Sequence, residues 1–203
     1  MKIGFIVECV DEGPETKVIP TLARLVNPDI TCDIEPLGSK PKVLSDCGKS
    51  AKALLEKSDC ARVVVLWDAR PAWEEGTVTF SIEEEYGKAK ASLKAAGLDS
   101  DNRVKLICIV EELEAWLLAD GRGVTARIKH YLKNHPLKKS VQDFKYVEKI
   151  TWPKSVMERI FKTNRVTAYE DWKDAGAIAA GIPNANRLMK HSVVFPDFAA
   201  AVS

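Results

Sequence analysis

The chain's 203 residues are enough for one large domain, or for one domain with an appended lobe. With 46% hydrophobic and 29% charged residues it has the material for a packed core, which excludes a disordered chain. A formal net charge of +1 excludes a global electrostatic drive toward nucleic acid or a membrane surface, and leaves room only for a local basic patch.

The first element is the run KIGFIV, a strand expected over 2–7. It begins at once, so no signal peptide is visible. Past a Gly-Pro turn, ETKVIPTLARLV carries Val18, Ile19, Leu22, Leu25 and Val26 at helical spacing. ITCDIEPL alternates Ile30, Cys32 and Ile34, which predicts a half-buried or edge strand over 30–36. A helix follows over 46–57, with Ala51, Leu54 and Leu55 inward. ARVVVLW, over 61–67, is the most continuous β-branched run, as in a central parallel strand covered on both faces. SIEEEYGKAKASLKAAG is a helix with Ser81 as N-cap, Glu84 in the capping-box position and Gly97 as terminator. VKLICIV gives a fourth strand over 104–110, and EELEAWLLAD starts a helix directly after it.

Strands alternating with helices predict an α/β fold with a parallel sheet of about four strands. Beyond Gly121 the pattern changes to helix-like pieces at 124–133, 153–162, 169–180 and 184–190. The expected organisation is an α/β unit over 1–120 and a mainly helical lobe over 121–203, either packed on it or part of one domain.

Cysteines stand at positions 9, 32, 47, 60 and 108, an odd count without a C-x-x-C pair. This argues against a disulfide framework or a thiolate zinc site and suits a reducing, cytoplasmic compartment. No apolar segment approaches the ~18–20 residues of a membrane span. His130, His135 and His191 are scattered without metal-binding spacing.

In open parallel sheets, ligands bind outside the carboxyl ends of the strands. Three of the four predicted strands place acids there: Glu8, Asp68, and the group Glu111, Glu112 and Glu114. Converging carboxylates call for a divalent cation, and oxygen ligands suit Mg²⁺ or Mn²⁺. Each acid also has an ordinary reading, as a helix cap or a solvated loop residue. Leu113, Trp116 and Leu117 share one helical face, and Glu111 and Glu114 share another. Trp116 reads as core rather than as a base-stacking platform. Further on, Lys145 and Lys149 belong to a lysine-rich stretch with Tyr131, Phe144 and Tyr146 interleaved. That pattern fits either a phosphate-backbone track or a solvated face.

FIVE at the first strand's end, VVVLWD at the third and EELEAWLLAD after the fourth resemble the Toprim-like proteins. The resemblance is to a family of small bacterial proteins of unknown function, akin to the nuclease half of overcoming-lysogenization-defect (OLD) proteins. The tail AYEDWKDAGAIAAGIPNANRLMKHSVVFPDFAAAV looks like that family's ending, so the resemblance covers nearly the whole chain. It implies a Rossmann-like Toprim sheet and a metal-dependent nuclease. Glu8, Asp68 and Glu114, or Glu112 in place of Glu114, would be catalytic and hold Mg or Mn, with Glu111 a further metal candidate from its place at the strand tip. Two departures stand out: Cys9 replaces the usual glycine, and Arg70 replaces the second aspartate of Asp-x-Asp. Arg70, Lys145 and Lys149 are then expected to hold phosphate, with a salt bridge the other use of Arg70.

The leading expectation is therefore a Toprim-like nuclease acting on nucleic acid. The alternative is a non-catalytic accessory module that binds a partner such as an ATPase in an anti-phage defence system. A homodimer is a further expected assembly. A phospho-acceptor module with Asp68 as acceptor lacks a convincing lysine and hydroxyl pair at later strand tips.

Overall fold

The computed structural model describes residues 1–69, 81–133 and 135–203. At its centre, strand β3 (Arg62–Asp68) buries every side chain from Val63 to Trp67. Such a run is stable only where both faces of a sheet are covered. The other strands are β1 (Lys2–Val7), β2 (Thr31–Pro36) and β4 (Val104–Ile109). All pair in parallel, in the order β2-β1-β3-β4. Phe5 lies opposite Ile34 on one side and Val64 on the other, and Val64 lies opposite Lys105. The alternating strand β2 is an edge, and Pro36 is tolerated at its end.

Side-chain alternation divides the core. Val63, Val65 and Trp67 face a cluster shared with α2 (Lys40–Glu56) and α3 (Ile82–Ala95). Val64 and Leu66 face a larger cluster with α1 (Pro14–Val26) and the C-terminal helices. Those are α4 (Leu113–Leu118), α5 (Gly121–Leu132), α6 (Pro153–Thr163), α7 (Asp171–Ala180), α8 (Asn186–His191) and α9 (Phe195–Val202), with a 3-10 turn at Val147–Lys149. The protein is thus an α/β fold with a four-stranded parallel sheet and a mostly helical C-terminal lobe. The larger cluster runs without a break across residue 121, from Phe5 and Ile109 to Phe161 and Phe198.

Trp116 is a core residue, 1% exposed, with the rings of Phe195 and Phe198 at 5.1 and 5.3 Å. Such aromatic pairs add ~0.5–1.5 kcal/mol beyond burial. Their helix α9 was not predicted. Helix α2 also starts earlier than predicted, at Lys40, because a proline in the first helical turn carries no penalty there. Helix α4 begins only at Leu113, so Glu111 precedes the helix and does not share a helical face with Glu114. Ser81 caps α3 as expected, accepting the Glu84 amide at 3.2 Å. All five cysteines are free thiols, and Cys47, Cys60 and Cys108 are buried. Among the described residues no helix is long and apolar enough to cross a membrane.

The chain leaves β1 toward β2 on one side, then returns past β1 to form β3 on the other. The boundary between β1 and β3 is the topological switch point, the place at which open α/β sheets bind their ligands.

Candidate functional site

Glu8 follows β1 and Asp68 ends β3, so both stand at this switch point. The Asp68 backbone amide faces the Glu8 carboxylate and favours its charged form. Asp68 Oδ2 in turn accepts the backbone amide of Leu113 at 3.2 Å, which ties β3 to the start of α4. The next residue, Glu114, is 6% exposed, and its Oε1 accepts the Tyr169 hydroxyl at 2.9 Å. Glu15, in the first turn of α1, completes the group, with the Cys9 thiol beside it. Glu8 Oε2 and Glu15 Oε2 are buried and accept no hydrogen bond among the described residues.

Burial is the first cause of every pKa shift in this group. It raises Glu8 to about 8, helped by the charge of Glu15 and opposed by Lys40 and the Asp68 amide. Asp68 is raised well above the usual carboxylate range by burial, then by Glu8, Glu15 and Glu114. Burial lifts Glu114 to about 7, against the pull of its own backbone and of Tyr169. Glu15 is raised as well. The same burial, with Glu15 beside it, pushes the Cys9 thiol up, so it is no ready thiolate. The acids are close enough to feel one another's charge, and at neutral pH the cluster retains protons.

The sequence led us to expect Mg or Mn on Glu8, Asp68 and Glu114, with Glu111 or Glu112 assisting. This is corrected: among the described residues no group of three or more His, Cys, Asp or Glu side chains could hold a metal ion. The expectation of a metal-dependent nuclease falls with it. The physical reason lies in how the carboxylates are engaged. Asp68 caps α4. Glu112 Oε2 accepts the Lys154 amide at 2.8 Å in the first turn of α6. Glu114 is held by Tyr169. Glu111 takes a positive φ of 72° outside the helix. The contacts of Asp68 and Glu112 are helix-starting roles, which orphan amides at helix N-termini favour.

Lys145 and Lys149 are both exposed. Lys149 Nζ lies 5.3 Å from the centre of the Tyr146 ring, and Tyr146 is itself 64% exposed. Arg70 lies outside the described residues. Sequence reasoning missed Glu15, Lys40, Glu85 and Tyr169. Lys40 Nζ donates to the Ala69 carbonyl at 2.7 Å and pairs with Glu85 at 3.2 Å, while Glu85 also accepts the Trp67 indole at 2.8 Å. Lys154 pairs with Asp171 and so joins the starts of α6 and α7. The residues heading these two helices, Trp152 and Trp172, are 54% and 58% exposed. The only sequence signal for these groups was the placement of an acid or a tyrosine at the head of an apolar helix.

Comparison of the chain with protein-family models, with curated proteins and with solved structures finds no match.

Proposed function

We propose that the chain is a Toprim-like binding module whose sheet end presents proton-bearing carboxyl groups to a basic segment of a partner protein. The observation that carries this reading is the pair of buried oxygens, Glu8 Oε2 and Glu15 Oε2, which accept no hydrogen bond among the described residues and lie beside the switch point of the sheet. A guanidinium or ammonium group supplies the missing donors and stabilises the charged carboxylates. Trp152 and Trp172, at the starts of the two helices that Lys154 and Asp171 join, are exposed and offer apolar contact area. An ATPase is the partner class that the Toprim-like resemblance implies. A second copy of the chain, through its own exposed lysines, is another.

The test uses an arginine-rich peptide and an acidic peptide of equal length, titrated calorimetrically in the presence of a chelator. Repeating the titration in buffers of different ionisation enthalpy counts the protons exchanged. The basic peptide is expected to bind with proton release at pH 7, and Glu8→Gln to reduce that release. Equal binding of both peptides, or binding without proton release, overturns the reading.

A second reading is favoured by Lys149 resting against the exposed Tyr146 ring. Together with Lys145 they offer a stacking face and two cations to single-stranded nucleic acid. Anisotropy of a labelled oligonucleotide should then fall in Tyr146→Ala and Lys149→Ala. Unchanged binding in both variants removes this reading.

A further inference from the structure

At the amino ends of β3 and β4, opposite the acid cluster, a cavity of about 650 Å³ opens between the edge strand β4 and helix α9. Its volume is that of a small-molecule pocket, ~300–1,000 Å³. The strand register builds its chemistry. Lys105 lies opposite Val64, and alternation puts it on the same face as Arg62 two residues earlier in β3. Arg103 and Asn102 enter from the turn before β4, Asp197 from α9, and Ile107 forms part of the apolar floor.

Two of the three cations are fixed. Arg62 Nη1 donates to the carbonyls of Ala201 and Ser203, at 3.2 and 2.9 Å, and so anchors the end of α9. Arg103 is gripped by both carboxylate oxygens of Asp101, through Nε at 3.0 Å and Nη2 at 2.6 Å. Lys105 is exposed and enters no ion pair among the described residues. With Asp101 neutralising Arg103, the charges of Arg62 and Lys105 face the single carboxylate of Asp197, over a floor that is partly apolar, and a cation held in place loses little freedom on binding.

We propose that this cavity binds a small organic anion, a molecule carrying a phosphate or several carboxylates on a carbon body. Lys105 makes the direct ionic contact, and Arg62, whose partners are backbone oxygens, supplies the surrounding positive field. The site is independent of the acid cluster and of any partner bound there.

The test is a two-dimensional amide NMR titration of the full chain with adenosine monophosphate and, separately, with citrate. The two compounds distinguish a phosphate ligand from a carboxylate one. At least one is expected to shift amides in 102–107 and 197–201 while leaving Glu8 and Leu113 in place. Lys105→Glu should weaken that binding by about tenfold or more, the scale of one lost charge contact. Lys105 is exposed, so the variant keeps its fold, and its unperturbed spectrum elsewhere checks this. No shift with either compound, or equal affinity in Lys105→Glu, overturns the proposal.

Discussion

The Asp68 carboxylate accepts the Leu113 backbone amide across 3.2 Å, so the acid at the tip of β3 starts the helix that follows β4. Removing such a cap costs about 1 kcal/mol. Asp68→Ala should therefore lower stability by that amount in urea denaturation. Asp68→Asn, which keeps an acceptor oxygen and cannot ionise within a crowded cluster, should cost less or nothing. Neither result should change when a chelator or millimolar Mg²⁺ is added. A metal-dependent difference between the two variants would contradict the capping role.

Glu8 makes the protein's stability depend on pH in an unusual direction. Its folded-state value of about 8 lies above the ordinary 4.5, so the folded chain holds the proton more tightly than the unfolded chain. Between those values stability falls as pH rises, and the loss is complete above the folded-state value. Glu8→Gln mimics the protonated form and cannot ionise. It should leave stability near pH 5 little changed and raise it at pH 8.5, on the order of 1–3 kcal/mol after discounting for coupling to Asp68. Thermal unfolding at the two pH values measures this, and a variant with the wild-type pH slope refutes it.

Strands and most helices were legible because apolar periodicity is a local signal. Ala61 to Trp67 is as readable in the sequence as in the sheet, and the alternation of Ile30, Cys32 and Ile34 marked an edge strand. The first turn of α2 was hidden by Pro41, which reads as a breaker although the first turn tolerates it. Helix α9 was hidden because FPDFAAAV has too few polar residues to show a helical stripe. The candidate site was half legible. Glu8, Asp68 and Glu114 do come to one end of the sheet, as strand tips required. What occupies their oxygens was not legible, because the partners are far along the chain: Leu113 is 45 residues from Asp68, and Tyr169 is 55 from Glu114. A carboxylate that caps a distant helix has the same local sequence as one that binds a metal.

Gly48 faces α3 at a point where a methyl group would collide with the Ser92 carbonyl oxygen. Its amide also donates to Ser92 Oγ at 3.0 Å, which holds α2 close against α3. Helix propensity alone would make Gly48→Ala stabilising by ~1 kcal/mol. Overpacking of this kind costs ~1–3 kcal/mol and should prevail, because the opposing group is backbone. Chemical denaturation should therefore show a net loss for Gly48→Ala. A gain would mean that α2 and α3 separate freely.

Tyr169 is buried and packs edge-on against Phe161, with ring centres 5.3 Å apart, while its hydroxyl donates to Glu114. Tyr169→Phe keeps the ring and deletes only the donor. That bond holds Glu114 down, so its loss should raise Glu114 above its value of about 7. The sign for stability follows. A hydrogen bond to a charged acceptor contributes ~1.5–3 kcal/mol and one to a neutral acceptor ~0.5–1.5 kcal/mol. Below pH 6 Glu114 is protonated in both proteins, so the variant should lose little. At pH 8.5 the wild-type carboxylate is charged and the variant's must either stay protonated or remain charged without its donor. The destabilisation should therefore be larger at pH 8.5 than at pH 5.5, by on the order of 1 kcal/mol. Urea denaturation at the two pH values reads the difference, and carbon NMR of the Glu114 carboxyl reads the upward shift. Equal destabilisation at both pH values, with an unmoved carboxyl titration, would show that the hydroxyl does not govern the charge of Glu114.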